Sequence, residues 1–135
     1  MIVTVVTPNA ADNALAAGFL EEEGIRTRRC TTLAECIPLT GEEIGCLVLV
    51  EESLVSPELE SFHTALHAQP PWSDFPIVLF APRRLDRSSD AIDAVRGLGN
   101  VSILERPVHS SALISALNAG LRGRRRQYEA RDAIR

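Results

Sequence analysis

The chain has 135 residues, a formal net charge of −4, and 45% hydrophobic and 24% charged residues. This length holds one ordinary core, and the composition is typical of a soluble globular domain and excludes a disordered chain. No apolar run approaches the roughly 20 residues that span a bilayer, and all 14 basic residues are arginine, which excludes lysine-dependent chemistry such as a Schiff base or a P-loop.

Short apolar runs rich in β-branched residues indicate strands, and the amphipathic stretches between them indicate helices. In chain order the pattern predicts a strand at 2–6, a helix at 10–23, an edge strand at 25–30, a short helix from about Thr32, a strand at 46–50, a helix at 56–68, a strand at 76–80, a helix at 87–98, a strand at 101–104 and a helix from 109 to about 128. Strict alternation with strands that are apolar throughout predicts a three-layer α/β/α domain around a five-stranded parallel sheet.

The ends of the predicted strands are the first place to look for a site, because the crevice of an open parallel sheet lies beyond the carboxyl ends of its strands. Strands one, three, four and five end in Thr7-Pro8-Asn9, Glu51-Glu52, Phe80-Ala81 and Glu105-Arg106-Pro107. We therefore expect these side chains to lie along one edge of the sheet.

These strand ends, with the strand and helix pattern over about residues 2–122, resemble the receiver domains of bacterial response regulators. The resemblance implies a flavodoxin-like sheet of order 2-1-3-4-5. It also implies a site in which strand one supplies an acidic pair for Mg²⁺, strand three the phosphoaccepting aspartate, strand four Thr or Ser, and strand five Lys-Pro. The matching positions here are Thr7-Pro8, Glu51, Phe80 and Arg106-Pro107, so only the proline is retained.

Each departure from the family pattern removes a chemical function. Thr7 and Pro8 are not the carboxylates that Mg²⁺ prefers, and Phe80 has no hydroxyl for a phosphoryl oxygen. We therefore expect a pseudo-receiver with no catalytic residue, no metal and no cofactor. Its degenerate phosphoacceptor pocket consists of Thr7, Pro8, Glu51, Glu52, Phe80, Arg106 and Pro107. In that pocket either Glu51 pairs with Arg106, or both glutamates point to water or cap the next turn.

A narrower resemblance connects three segments to the N-terminal receiver-like region of certain sensor histidine kinases: QPPWSDFP (69–76), NVSILERPV (100–108) and RGRRRQYEARD (122–132). It implies a cytoplasmic regulatory domain at 1–122 and, at 123–135, a continuation of the last helix or a linker toward a covalently linked kinase core. The chain contains no phosphoacceptor-histidine helix and no glycine-rich ATP boxes, so the fragment itself is not expected to be an enzyme. A Met1 start without a signal peptide, and an end without a helix stop, agree with this interpretation.

The expected partner is another protein or a second copy, bound through the helix at 87–98, the strand at 101–104 and the last helix. We expect neither nucleic acid nor membrane as a partner.

Leu113, Leu117 and Leu121 predict one buried helix stripe, whereas the arginines of 122–126 predict a solvated helix end that needs a partner. Trp72 is expected to pack its turn onto the domain.

Three alternatives remain open. One is an atypical receiver that is phosphorylated with the help of a metal site formed by Asp12, Glu51 and Glu52. Another is a small flavodoxin-like domain that binds a nucleotide or flavin, and the third is a stand-alone adaptor. Two further sets of residues are expected to be structural: the histidines His63, His67 and His109, and the core cysteines Cys30, Cys36 and Cys46.

Overall fold

All five predicted strands are present in the computed structural model, which describes residues 1–36, 44–81 and 89–134. They are β1 (Ile2–Val6), β2 (Thr27–Cys30), β3 (Ile44–Val50), β4 (Ile77–Ala81) and β5 (Val101–Glu105). Every pairing is parallel, and the strand order is β2-β1-β3-β4-β5. The expected flavodoxin-like topology is confirmed.

Four α-helices connect the strands: α1 (Ala10–Glu22), α2 (Leu59–His67), α3 (Ser89–Arg96) and α4 (Ser110–Ile134). The short helix expected from about Thr32 is a 3₁₀ turn, Ala34–Cys36, and the rest of that predicted segment lies outside the described residues, as do the first two residues of the predicted helix 87–98. A second 3₁₀ turn, Glu51–Val55, follows β3 directly, so α2 begins three residues later than expected. No helix within the described ranges is long and apolar enough to cross a membrane.

The sheet carries an apolar core on each face, which explains why its central strands β1, β3 and β4 are apolar without alternation. In β3, Leu47 and Leu49 join the core beneath α2 and α3, while Cys46 and Val48 join the core beneath α1 and α4. These four side chains are at most 2% exposed. A strand buried on both faces is the usual element of a parallel sheet between two helix layers.

The three cysteines are buried free thiols, as expected of core residues. Burial raises the pKa of the Cys36 and Cys46 thiols to about 12 and raises that of Cys30 in the same direction. Neutral thiols of this kind behave as small apolar side chains.

Arg124 contradicts the expectation that the arginines of 122–126 form a solvated helix end. Its side chain is 1% exposed, whereas Arg122, Arg125 and Arg126 are exposed. The guanidinium donates from Nε to the Ile44 carbonyl at 3.1 Å and from Nη1 to the Ser73 hydroxyl at 2.8 Å. Because carbonyl, hydroxyl and aromatic groups replace its water, a cation can be buried at the base of the sheet.

Trp72 packs onto the domain, as expected. Its ring centre lies 5.6 Å from that of Tyr128 on α4, and the Tyr128 hydroxyl donates to the Ile44 carbonyl at 2.8 Å. Gln127 exchanges two hydrogen bonds of 2.8 Å with the backbone of Asp74. The packing of α4 therefore continues beyond Leu121 to Tyr128, and the domain boundary at residue 122 stays a prediction.

Candidate functional site

The first strand end is organised as a helix start. Thr7 is buried and its hydroxyl accepts a long hydrogen bond, 3.4 Å, from the Asn9 amide, while Pro8 is exposed. Asn9 caps α1, its side-chain oxygen accepting from the Asp12 amide at 3.0 Å. The polar groups at this end of β1 thus satisfy the backbone that begins α1.

The ends of β3 and β5 are joined by an ion pair between Glu52 and Arg106. The two terminal guanidinium nitrogens of Arg106, Nη1 and Nη2, donate to the two carboxylate oxygens of Glu52 at 2.8 and 3.0 Å. The Glu51–Arg106 pair, one of the two alternatives left open by the sequence, is therefore not formed. The other alternative is also wrong for Glu52, which pairs with Arg106 and does not simply point to water or cap a turn. The physical reason is the 3₁₀ turn, in which successive side chains rotate by about 120°, so that residue 52 faces β5.

Glu52 and Arg106 each stabilise the charged form of the other. Hydrogen bonds from Arg106 lower the pKa of the Glu52 carboxyl, and the same bonds raise the pKa of Arg106, to which Glu51 and Asp12 add attraction. Both side chains are well exposed, Arg106 by 39% and Glu52 by 52%. An exposed ion pair contributes about 0–1 kcal/mol, so this one orients the strand ends more than it stabilises the fold.

A cavity of about 430 Å³ lies beside the pair, between the sheet and the starts of α1 and α4. Its lining is mainly apolar and includes Thr7, Asp12, Val48, Phe80, Arg106 and Pro107. The structure thus gathers five of the seven predicted pocket residues around one space or its rim: Thr7, Glu52, Phe80, Arg106 and Pro107. Glu51 is half-buried at the start of the 3₁₀ turn, and Pro8 faces solvent.

The donor set here does not fit Mg²⁺, which requires several oxygen ligands in near-octahedral geometry. The Thr7 hydroxyl is engaged by the Asn9 amide, and the Glu52 carboxylate binds Arg106. Across residues 1–36, 44–81 and 89–134, no three His, Cys, Asp or Glu side chains form a group that could hold a metal. The alternative site of Asp12, Glu51 and Glu52 is therefore not assembled in that part of the chain.

The three histidines lie apart from the strand ends or on the surface. His63 is half-buried, with Nε2 3.1 Å from the Ala94 carbonyl, so α2 and α3 hold it between them. His67 and His109 are exposed. This placement agrees with the structural roles that we expected.

Asn13 is a polar residue that the sequence analysis overlooked. It is 1% exposed, its amide donates to the Cys30 carbonyl at 2.7 Å, and its oxygen accepts from Arg29 Nε at 3.1 Å. It lies on the face of α1 that buries Ala17 and Leu20. The spacing of Asn13 from Ala17 and Leu20 places it on the buried face of α1, and this pattern could have identified it in the sequence. Its hydrogen bonds attach α1 to the end of β2.

Comparison with known proteins finds similarity only at the level of structure. No family model and no curated protein matches the chain. The response regulator StyR superposes with a TM-score of 0.73 at 20% identity, over 98% of this chain and 64% of its own. NtrX from Brucella abortus, in complex with ADP, gives 0.69 at 19% identity, over 98% of this chain and 28% of its own.

A response regulator receiver protein from Sinorhizobium medicae gives a TM-score of 0.68 at 21% identity, over 92% of this chain and 96% of its own. The chain thus spans less than two thirds of StyR and NtrX but nearly all of this receiver protein. These likenesses show that the chain has the flavodoxin-like fold of response-regulator receiver domains.

Proposed function

We propose that this receiver-like domain is a non-catalytic regulatory module of a two-component signalling protein, and that it works without phosphorylation at the end of β3. The observation that carries the proposal is the bidentate pair between Glu52 and Arg106. It joins the strand-three end, where receivers hold their phosphoacceptor, to the cation at the strand-five end. Both groups are thereby engaged with each other.

The Glu52–Arg106 pair takes the place of part of the contact that a phosphoryl group would make with Arg106. Glu52 brings one negative charge and two oxygens to Arg106, which is part of what a phosphoryl group brings to such a site. Because the carboxylate is always present, the pair favours one arrangement of the β3 and β5 ends without phosphorylation. The domain then acts as a constant binding partner and not as a phosphorylation-driven switch.

The proposed contact surface is the face formed by α3, β5 and α4. β5 is an edge strand of the described sheet, and Ser102, Ile103 and Glu105 on it are exposed, Ile103 by 44%. An edge strand with an exposed apolar residue suits contact with another protein. Nucleic acid and membrane are not the proposed partners.

We further propose that the parent protein is a cytoplasmic sensor histidine kinase whose core follows this domain in the chain. α4 is a 25-residue helix that runs uninterrupted to Ile134. Arg124, Gln127 and Tyr128 fasten it to the base of the sheet. A helix held along its length transmits the orientation of the domain to whatever follows it.

Treatment with acetyl phosphate and Mg²⁺ tests the absence of phosphorylation. We expect intact mass spectrometry to find no phosphoryl adduct and NMR spectra to be unchanged by beryllofluoride and Mg²⁺, with a working receiver domain as positive control. An acid-labile adduct on this chain would overturn the proposal. A Phe80→Thr variant carrying Glu51→Asp, Thr7→Asp and Pro8→Asp should gain Mg²⁺ binding if the missing groups are the cause.

A further inference from the structure

The cavity at the carboxyl ends of β1, β3 and β4 has walls that belong to the core of the domain. Val5, Val6, Thr7 and Val48 line it, and each of them is at most 4% exposed. Its volume of about 430 Å³ lies within the range of small-molecule sites, about 300–1,000 Å³. At the packing density of protein interiors this space holds a ligand of roughly 10–15 non-hydrogen atoms.

Three apolar side chains that are only partly buried line the same cavity. They are Ala16 on α1, Phe80 on β4 and Val108 just before α4. Because these residues come from separate elements, their uncovered apolar surfaces converge on one space. A ligand with an apolar body removes that surface from water, which is the main source of affinity in sites of this kind.

The charged residues of the lining, Asp12 and Arg106, are exposed and mark the mouth of the cavity. Glu52 binds Arg106 through both terminal nitrogens, and Glu51 and Asp12 also attract its charge. Among the described residues, three carboxylates thus stand against one guanidinium, which leaves an excess of two negative charges at the mouth.

This excess favours a ligand with a cationic head group. A carboxylate or phosphate that approached Arg106 would also meet Glu51, Glu52 and Asp12, and like charges brought together lower affinity. An ammonium group instead forms a charge-assisted hydrogen bond with the Asp12 carboxylate, while Arg106 keeps its pair with Glu52. The same repulsion disfavours a nucleotide, whose phosphates are anionic.

We infer that this cavity binds an organic ammonium ion with an apolar body, of the arylalkylamine class. The body lies against Phe80 and Val108, and the ammonium group bonds Asp12 at the mouth. The inference deepens the proposed function and rests on it, because a bound amine gives an otherwise constant module an input that needs no phosphoryl group. Since the cavity lies between the sheet and the starts of α1 and α4, the ligand contacts both helices and stabilises their placement on the sheet.

Three ligands of nearly one shape test the choice of head group: tryptamine, tryptophol and indoleacetate. They are titrated into the full chain and followed by amide NMR shifts. Tryptamine should bind with a Kd below about 1 mM, with the largest shifts around Val48, Phe80 and Val108. Tryptophol, which lacks the charge, should bind at least about threefold more weakly, and indoleacetate more weakly still.

Two variants with matched controls test the location of the site. Asp12→Asn keeps the shape of the side chain and should weaken tryptamine binding at least about threefold without changing tryptophol binding, whereas Glu22→Gln, exposed near the other end of α1, should change neither. Ala16→Leu fills the cavity and should abolish the binding of both ligands, whereas Ala14→Leu, at an exposed position of the same helix, should not. Circular dichroism checks that each variant is folded.

The inference is overturned if tryptamine does not bind at about 10 mM or if the three ligands bind equally. Shifts centred elsewhere on the domain, or binding unaffected by both Asp12→Asn and Ala16→Leu, would overturn it as well. A phosphoryl adduct in the acetyl phosphate experiment sinks the proposed function and this inference together. A chain that shows neither an adduct nor tryptamine binding refutes the inference alone.

Discussion

The guanidinium carbon of Arg124 lies 3.8 Å from the centre of the Phe75 ring, so a buried cation stacks on an aromatic face at the base of the sheet. Tyr128 and Trp72 approach the same group at 4.6 and 5.5 Å. Among the described residues its hydrogen-bond partners are a carbonyl, an amide oxygen and two hydroxyls, with no carboxylate. Burial lowers the pKa of Arg124, and the aromatic rings and oxygens compensate for the lost water.

Arg124→Ala should lower the free energy of unfolding by about 3 kcal/mol, since it leaves a cavity and buried polar groups without their donor. Arg125→Ala, at the next and exposed position, should change it by less than about 0.5 kcal/mol. Urea unfolding of both variants measures the difference. Equal effects at the two positions would mean that Arg124 is not part of the core.

Periodicity and residue type predicted the strands and most of the helix positions, because the three central strands, β1, β3 and β4, are short apolar runs buried on both faces. Besides Asn13, two features escaped prediction for different reasons. Arg124 continues the three- and four-residue spacing of Leu113, Leu117 and Tyr128, which places it on the buried face of α4. Its charge nevertheless predicted an exposed side chain. Glu52 replaced Glu51 as the partner of Arg106 because a five-residue 3₁₀ helix sets the direction of each side chain, and composition does not reveal that helix.

Two glycines of α4 should respond to alanine in opposite directions. A Cβ on Gly120 would lie 2.8 Å from the Cys46 sulfur and 3.2 Å from Pro76 Cβ, whereas one on Gly123 would meet nothing within 4 Å. Gly123→Ala should therefore stabilise the protein by up to about 1 kcal/mol through helix propensity. Gly120→Ala should destabilise it by about 1–3 kcal/mol through overpacking. Thermal and urea unfolding give both values, and equal signs would contradict the packing of α4 on β3.

The buried cysteines should be protected from thiol reagents in the native protein. A thiol with a pKa of about 12, as for Cys36 and Cys46, is thiolate in roughly one molecule in ten thousand at pH 8, and only the thiolate reacts. Labelling should be slow in buffer and complete for all three cysteines in denaturant. Rapid labelling of the native chain, followed by mass spectrometry, would contradict the burial of these side chains.

Neutralising Glu52 should slightly lower the stability of the fold, whereas neutralising Glu51 should not. Glu52→Gln removes the charge that Arg106 binds through both nitrogens, and it should lower the free energy of unfolding by up to about 1 kcal/mol, the range of exposed ion pairs. Glu51→Gln keeps the pair and should leave stability within about 0.3 kcal/mol of the wild type. The opposite ranking in urea unfolding would restore Glu51 as the partner of Arg106.

The contribution of the Glu52 pair should depend on pH in a defined direction. Its pKa is lower in the folded protein than the roughly 4.3 of an unfolded glutamate, because Arg106 hydrogen-bonds the charged form. Between these two values the unfolded chain binds more protons, so stability rises with pH. The difference between wild type and Glu52→Gln should therefore be complete at pH 7 and disappear as the pH falls through the folded pKa. If unfolding measured down to about pH 3 shows a constant difference, the variant lost packing and not an ion pair.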